Sequence, residues 1–182
     1  MSEINFVLAA TKEDLAVVEE IYQEAFPIVE RKPFLMLTDA QEKGNVEILK
    51  IQDNKANILG EIILARYADV VLLDYFAIAS AFRGHGIGAQ VLEKLRKRCG
   101  EERLILEIES TKVEADNLKQ RLSRKAFYER CGMHPLDYSV MVMGVEMEVL
   151  TFGCEVSFEE YHAVYKQVFG ERIGAQIQQV RC

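Results

Sequence analysis

"IASAFRGHGIGA" occupies residues 78–89 and decides the fold of this chain. It follows an apolar run, "DVVLLDYFAI" (69–78), and carries glycine at positions 84, 86 and 88. Glycine in regular structure costs roughly 0.5–1 kcal/mol relative to alanine, so this spacing indicates that bare backbone is needed there. A helix that begins in such a loop turns unpaired N–H groups, at the positive end of its dipole, toward the loop. The segment therefore predicts a strand, an anion-binding loop and a helix.

The elements around the loop predict a mixed α/β chain in the order β-α-(α)-β-β-β-α-β-α-β-β-α. Three strands joined by short polar turns precede the loop and predict an antiparallel meander. The strands are expected at 4–10, 46–51, 58–67, 69–78, 103–109 and 139–150, and the helices after Thr11 and at about 33–44, 86–98 and 116–130.

The last 32 residues differ from the rest of the chain. Ser157 and Glu160 form a capping box that predicts an amphipathic helix. We expect residues 1–150 to form one domain and residues 151–182 a helical extension, packed on that domain or at a homodimer interface. Its end, residues 171–182, is expected to be loosely ordered or to pair with a partner.

Composition narrows the class of protein. The net charge is −7 and the pI about 5.1, which disfavours a nucleic-acid partner. No run reaches the ~18 apolar residues of a membrane helix, so we expect a cytoplasmic protein without a membrane partner. The four cysteines form no C-x-x-C pair and the three histidines are scattered, which predicts reduced thiols and no metal site.

A dinucleotide-binding fingerprint also fits the loop. The spacing Gly84-x-Gly86-x-x-Ala89 matches G-x-G-x-x-G/A, and Glu107 lies about 20 residues further on, as that fingerprint requires. Dinucleotide-binding folds begin with this motif, whereas here three antiparallel strands precede it. The context favours a different pyrophosphate site, in which Arg83 adds a cationic contact.

The loop resembles the acetyl-CoA-binding motif of the GNAT (GCN5-related) N-acetyltransferases. Ile78, Arg83, Gly86 and Gly88 occupy the positions of that pattern, and "RKAFYERCGM" (124–133) resembles the family's later helix. The resemblance covers roughly residues 4–150. It implies the GNAT fold, a mixed, mostly antiparallel sheet flanked by helices with a central β-α-β acetyl-CoA-binding unit, and acetyl-CoA as co-substrate.

The resemblance also implies which residues bind the coenzyme. The loop would hold the diphosphate, and the backbone at the end of the preceding strand would hydrogen-bond the pantetheine arm as an added strand does. Asn117 is a helix cap or a coenzyme contact, and His85 is an exposed loop residue rather than a catalyst. The expected coenzyme-binding residues are Phe76, Ile78, Arg83, Gly84, His85, Gly86, Ile87, Gly88, Ala89 and Asn117.

Acetyl transfer to an amine needs a base for the amine and an acid for the leaving thiolate. By the resemblance, Tyr128 is the acid. The candidates for the base are Asp74, which interrupts an apolar strand, and Glu107 and Glu109, two residues apart on one strand face. A chain of water molecules could replace a single base.

The sequence thus predicts an N-acetyltransferase that acts on an amine of a small molecule or peptide through a tetrahedral intermediate. The alternative is a GNAT-like module that binds acyl-CoA as a sensor, or binds a partner, without turnover.

Overall fold

The computed structural model describes residues 3–180. The chain has mixed α/β architecture with mostly antiparallel strand pairing, so the predicted fold class is confirmed. It divides into two compact units, one built from residues up to 65 and 73–98, the other from 66–72 and 99 onward. None of the helices in the described part is long and apolar enough to cross a membrane. Cys182, one of the predicted reduced thiols, lies outside the described residues.

The first unit contains a four-stranded meander whose strands neighbour one another in chain order. Antiparallel pairing joins β1 to β2, and it joins β2 to β3 as predicted. Helices α1 and α2 pack against β2. The elements of this unit are β1 (Ile4–Leu8), α1 (Lys12–Ala25), α2 (Phe34–Glu42), β2 (Val46–Asp53) and most of β3 (Ile58–Tyr67), β4 (Val70–Ile78) and α3 (Ile87–Cys99).

Local sequence explains where the two longer helices of this unit lie. Thr11 caps α1, because its Oγ1 accepts a hydrogen bond from the backbone N–H of Asp14 at 3.1 Å. Helix α3 buries Val91, Leu92 and Leu95 completely, which is one apolar face at helical spacing. Both helices therefore follow from capping and periodicity.

The second unit contains strands in the spatial order β5-β7-β6-β8, and neighbouring strands in this order pair antiparallel. Helix α5 begins with the predicted capping box, in which Ser157 and Glu160 bond each other's backbone N–H groups. The elements are β5 (Arg103–Glu109), α4 (Leu118–Arg130), β6 (His134–Val142), β7 (Val145–Thr151), α5 (Phe158–Phe169), α6 (Glu171–Gly174) and β8 (Ile177–Val180).

Two predictions about the second half of the chain were wrong. The predicted order of elements has two strands before the last helix, and the structure has both, but the stretch expected as one strand, 139–150, belongs to a hairpin that turns at Met143 (φ 48°) and Gly144 (φ 87°). Positive φ at both central residues is the geometry of a tight hairpin turn, and the apolar pattern continues across it. Residues 171–180, which were expected to be loosely ordered, are ordered, because they include β8. This strand pairs with β6 and thereby covers the edge of β6.

Candidate functional site

The glycine loop lies between β4 and α3 in the first unit. A short 3₁₀ turn, Ser80–Phe82, leads into it from the end of β4. Gly84 and Gly86 have φ of 81° and 74°, and a Cβ atom added to either would meet no atom within 4 Å. These glycines therefore meet a backbone requirement, and they leave exposed backbone facing open space. Such a surface can bind an anion, since α3 begins directly after it.

Arg83 connects the loop to the end of β4. Its Nε donates a hydrogen bond to the carbonyl oxygen of Ile78 at 2.7 Å, and its Nη2 lies 4.0 Å from Oε1 of Glu24. About half of the Arg83 side chain remains exposed. His85 is exposed too, with Nδ1 3.3 Å from the carbonyl oxygen of Phe82. The guanidinium thus orders the loop while part of it stays accessible to an anion.

The end of β4 is held very close to β3. A Cβ atom on Gly60 would lie 2.1 Å from the carbonyl oxygen of Ala77, so no other residue fits there without a shift of the backbone. The N–H of Ala79 donates to the carbonyl oxygen of Leu59 at 2.9 Å. This close approach fixes the strand end that carries Phe76 and Ile78. The sequence analysis missed Gly60, although a glycine inside a strand is a known sign of such an approach.

Asp74 on β4 is buried in an ion pair with Lys32. The distance from Lys32 Nζ to Asp74 Oδ1 is 2.7 Å, and the side chains are 2% and 3% exposed. Lys32 is held by its backbone as well, because its N–H donates to the Tyr75 hydroxyl and its carbonyl accepts from the Tyr22 hydroxyl. The pairing explains how a carboxylate is tolerated in this apolar strand.

Glu61 on β3 is a second buried carboxyl group beside Asp74. Its side chain is fully buried, and neither of its oxygens has a hydrogen-bond partner among residues 3–180. Burial raises the pKa of Glu61 well above its ordinary value, and the charge of Asp74 raises it further. Both effects favour the protonated form of Glu61. The sequence analysis missed it, although it interrupts the apolar run 58–65.

Tyr128 lies on α4 in the second unit, next to the Phe127 ring at a centroid distance of 5.1 Å. Burial raises the pKa of the Tyr128 hydroxyl to about 12, an effect that nearby Arg124 only partly opposes. Within residues 3–180 this hydroxyl has no hydrogen-bond partner. It keeps its proton at neutral pH and has no internal acceptor for it, which suits a proton donor.

Glu107 is bound by the C-terminal helix. Its carboxylate accepts hydrogen bonds from the hydroxyl groups of Tyr161 and Tyr165 on α5, the latter at 2.7 Å. Both tyrosines are fully buried. Glu107 thus attaches α5 to β5, a role that accounts for its position without catalysis.

Glu109, by contrast, is held by α4. Its side chain is 7% exposed and lies 2.8 Å from Arg121 and 3.1 Å from Arg124. Asn117 donates to the same carboxylate at 3.2 Å and accepts from Arg121 at 2.7 Å, and it makes no side-chain cap on α4. This network occupies the acceptor oxygens of Glu109.

Comparison with known proteins identifies the family. Residues 45–134 match the acetyltransferase (GNAT) domain, a range that includes the loop and Tyr128. The chain carries a GNAT domain. The match confirms the predicted family and favours a CoA site over the dinucleotide interpretation of the glycine loop. No curated protein matches the chain.

Solved structures with the same fold cover most of the chain. A GNAT-family protein from Bacteroides thetaiotaomicron aligns with a TM-score of 0.74 at 21% identity, over 93% of this chain and 99% of its own. Spermidine N-acetyltransferase from Vibrio cholerae, solved with CoA and spermine, aligns with a TM-score of 0.62 at 12% identity, over 81% and 94%. At these identities the likeness establishes the fold, and the roles of individual residues remain predictions.

The candidate residues divide between the two units. The first unit holds the whole loop, residues 83–89, together with Asp74, Phe76 and Ile78. The second unit holds the residues predicted from β5 and α4, which are Glu107, Glu109, Asn117 and Tyr128.

Proposed function

We propose that this protein transfers the acetyl group of acetyl-CoA to an amine. The observation that carries the proposal is the loop between β4 and α3, whose exposed backbone at Gly84 and Gly86 lies beside the half-exposed Arg83. A diphosphate would accept hydrogen bonds from the first N–H groups of α3 and from the guanidinium. The GNAT domain match supports acetyl-CoA as the co-substrate.

The pantetheine arm would run along the end of β4. Its amides can pair with the backbone near Phe76 and Ile78 as an added strand. The close packing of Gly60 against Ala77 supports this assignment, since it holds that strand end in one position.

The amine has to be neutral before it attacks the thioester carbonyl and forms a tetrahedral intermediate. We propose Asp74 as the group that takes its proton, because one of its oxygens has no hydrogen-bond partner in the described chain, whereas Glu107 and Glu109 are engaged by helices. Tyr128 would protonate the leaving thiolate, as the family resemblance implies. Its hydroxyl, which keeps its proton at neutral pH, supports this role.

The acceptor is a small molecule or peptide that carries an amine. The relative from Vibrio cholerae is a spermidine N-acetyltransferase crystallised with spermine, which supports a small cationic acceptor. A net charge of −7 also favours cations at the protein surface.

Free-thiol release from acetyl-CoA, measured across a panel of primary amines, tests the proposal. Amine-dependent release is the expected result. If CoA binds tightly and no amine causes thiol release, the protein is instead an acyl-CoA sensor or a partner-binding module.

Charge reversal tests the loop separately. Arg83→Glu should weaken CoA binding by about tenfold or more, because charge-assisted contacts to the diphosphate become repulsive. Lys97→Glu is the matched control, since it makes the same change in charge at an exposed position of α3. Equal CoA affinities in the two variants would refute the assignment of the loop.

A further inference from the structure

Three buried oxygens of the first unit lack donors. They are Oε1 and Oε2 of Glu61 and Oδ2 of Asp74, and none has a hydrogen-bond partner among residues 3–180. The Glu61 side chain is fully buried and that of Asp74 is 3% exposed. Buried polar atoms are nearly always hydrogen-bonded in proteins, so three unpartnered acceptors on adjacent strands point to a donor-rich ligand.

We propose that Glu61 and Asp74 form the binding site for the primary ammonium group of the acceptor amine. This inference rests on the proposed function and names the residues that recognise its substrate. A primary ammonium carries three N–H donors and no acceptor, which matches three unpartnered oxygens. Hydrogen bonds between an ammonium and a carboxylate are charge-assisted and hence among the strongest available to a protein.

Lys32 demonstrates that this place accepts an alkylammonium. Its Nζ lies 2.7 Å from the other oxygen of Asp74, and 5.1 Å from the centre of the Tyr75 ring. Carboxylate and aromatic face together hold a cation here with its alkyl chain in apolar surroundings. The ligand's ammonium would bind beside that of Lys32, on the oxygens that Lys32 leaves open.

The charges around the site leave room for a second cation. Lys50 lies directly across the β2–β3 pair from Glu61, but its Nζ bonds Asp14 instead. Lys32 balances Asp74, whereas Glu61 has no counter-ion among residues 3–180. An entering ammonium would supply that counter-ion and favour the ionised form of Glu61, which would release its proton to solvent as the ammonium binds.

Access to the site is by way of the chain that carries Lys32. Residues 31–33 belong to neither helix nor strand. Ile28 and Val29, just before them, are 77% and 72% exposed, so the turn at 28–30 is weakly packed, whereas Lys32 itself is held by its hydrogen bonds and ion pair. A movement of this stretch would open the buried carboxyl groups to a ligand.

Titration calorimetry with n-butylammonium tests the inference without acetyl-CoA, so its outcome does not depend on catalysis. Wild-type protein should bind n-butylammonium, and tetramethylammonium, with equal charge and no N–H donor, should bind about tenfold more weakly or worse. Glu61→Gln should weaken n-butylammonium binding by a similar factor. Glu148→Gln is the matched control, because Glu148 is equally buried but fully bonded to Lys125 and Thr111; it should leave the affinity unchanged.

A rescue experiment covers the case in which Glu61→Gln does not fold. Lys32→Met leaves Asp74 without its cation and should lower the melting temperature. n-Butylammonium should restore part of that loss and tetramethylammonium should not. The inference is overturned if wild-type protein does not bind n-butylammonium, if the two cations bind equally, or if neither Glu61→Gln nor Lys32→Met changes the response. Intact CoA binding alongside such a result would leave the proposed function standing.

Discussion

Gly60→Ala should damage the strand end that carries the candidate coenzyme site. The added Cβ would lie 2.1 Å from the carbonyl oxygen of Ala77 and 3.0 Å from the Cα of Ile78, where ordinary contacts are 3.4–4 Å. Both of these atoms belong to the backbone, so no side-chain rotation can relieve the clash. β4 has to move by more than 1 Å.

The expected cost follows from these contacts. Overpacking with a backbone shift costs about 1–3 kcal/mol. Loss of the adjacent hydrogen bond from Ala79 to Leu59 adds about 1 kcal/mol. We expect a total of about 2–4 kcal/mol, which for a chain of this size lowers the melting temperature by about 5–15 °C.

Urea unfolding and calorimetric binding of CoA measure the two consequences. CoA affinity should fall more than stability alone explains, since the change displaces the backbone near Ile78. Gly44→Ala is the control: it has positive φ but nothing within 4 Å of its Cβ, so it should cost only about 1 kcal/mol and leave CoA affinity unchanged. A free energy of unfolding for Gly60→Ala within about 0.5 kcal/mol of wild type is within the error of such measurements. That result would mean that the close approach of β3 and β4 does not constrain the residue at position 60.

Three further predictions concern the second unit. Tyr128→Phe should lower kcat by about 10²-fold or more with CoA affinity unchanged, as loss of a general acid does; an unaltered kcat would exclude that role. Tyr165→Phe should lower the free energy of unfolding in urea by about 1–2 kcal/mol, because one of the two hydroxyl donors to Glu107 is lost. An unchanged free energy of unfolding would mean that this hydrogen bond makes no net contribution to stability. Burial alone would raise the pKa of Glu148, but bonds from Lys125 and Thr111 bring it below its ordinary 4.5. The stability that Glu148 contributes is therefore present above about pH 4.5 and lost as the pH falls further. When the free energy of unfolding is measured against pH, Glu148→Gln should make its decrease below about pH 4.5 less steep.

Local signals in the sequence determined much of the fold. The caps of α1 and α5 and the periodicity of α3 act over a few residues, so each was readable without knowledge of the rest of the chain. The glycine loop belongs to the same group, because the anion binding proposed for it needs consecutive backbone groups at a strand-to-helix junction. The hairpin at Met143–Gly144 was missed since its apolar pattern runs through the turn unbroken.

The tertiary structure alone decided which charged side chains are engaged. Lys32 and Asp74 are 42 positions apart, and Glu107 meets Tyr165 from 58 positions away. No local pattern reports such pairings, because they depend on which surfaces the folded strands and helices bury together. The sequence by itself therefore located the glycine loop and indicated the family. The fold decided that Glu107 and Glu109 are engaged by helices. It also left both carboxyl oxygens of Glu61 and Oδ2 of Asp74 buried, with no hydrogen-bond partner among residues 3–180.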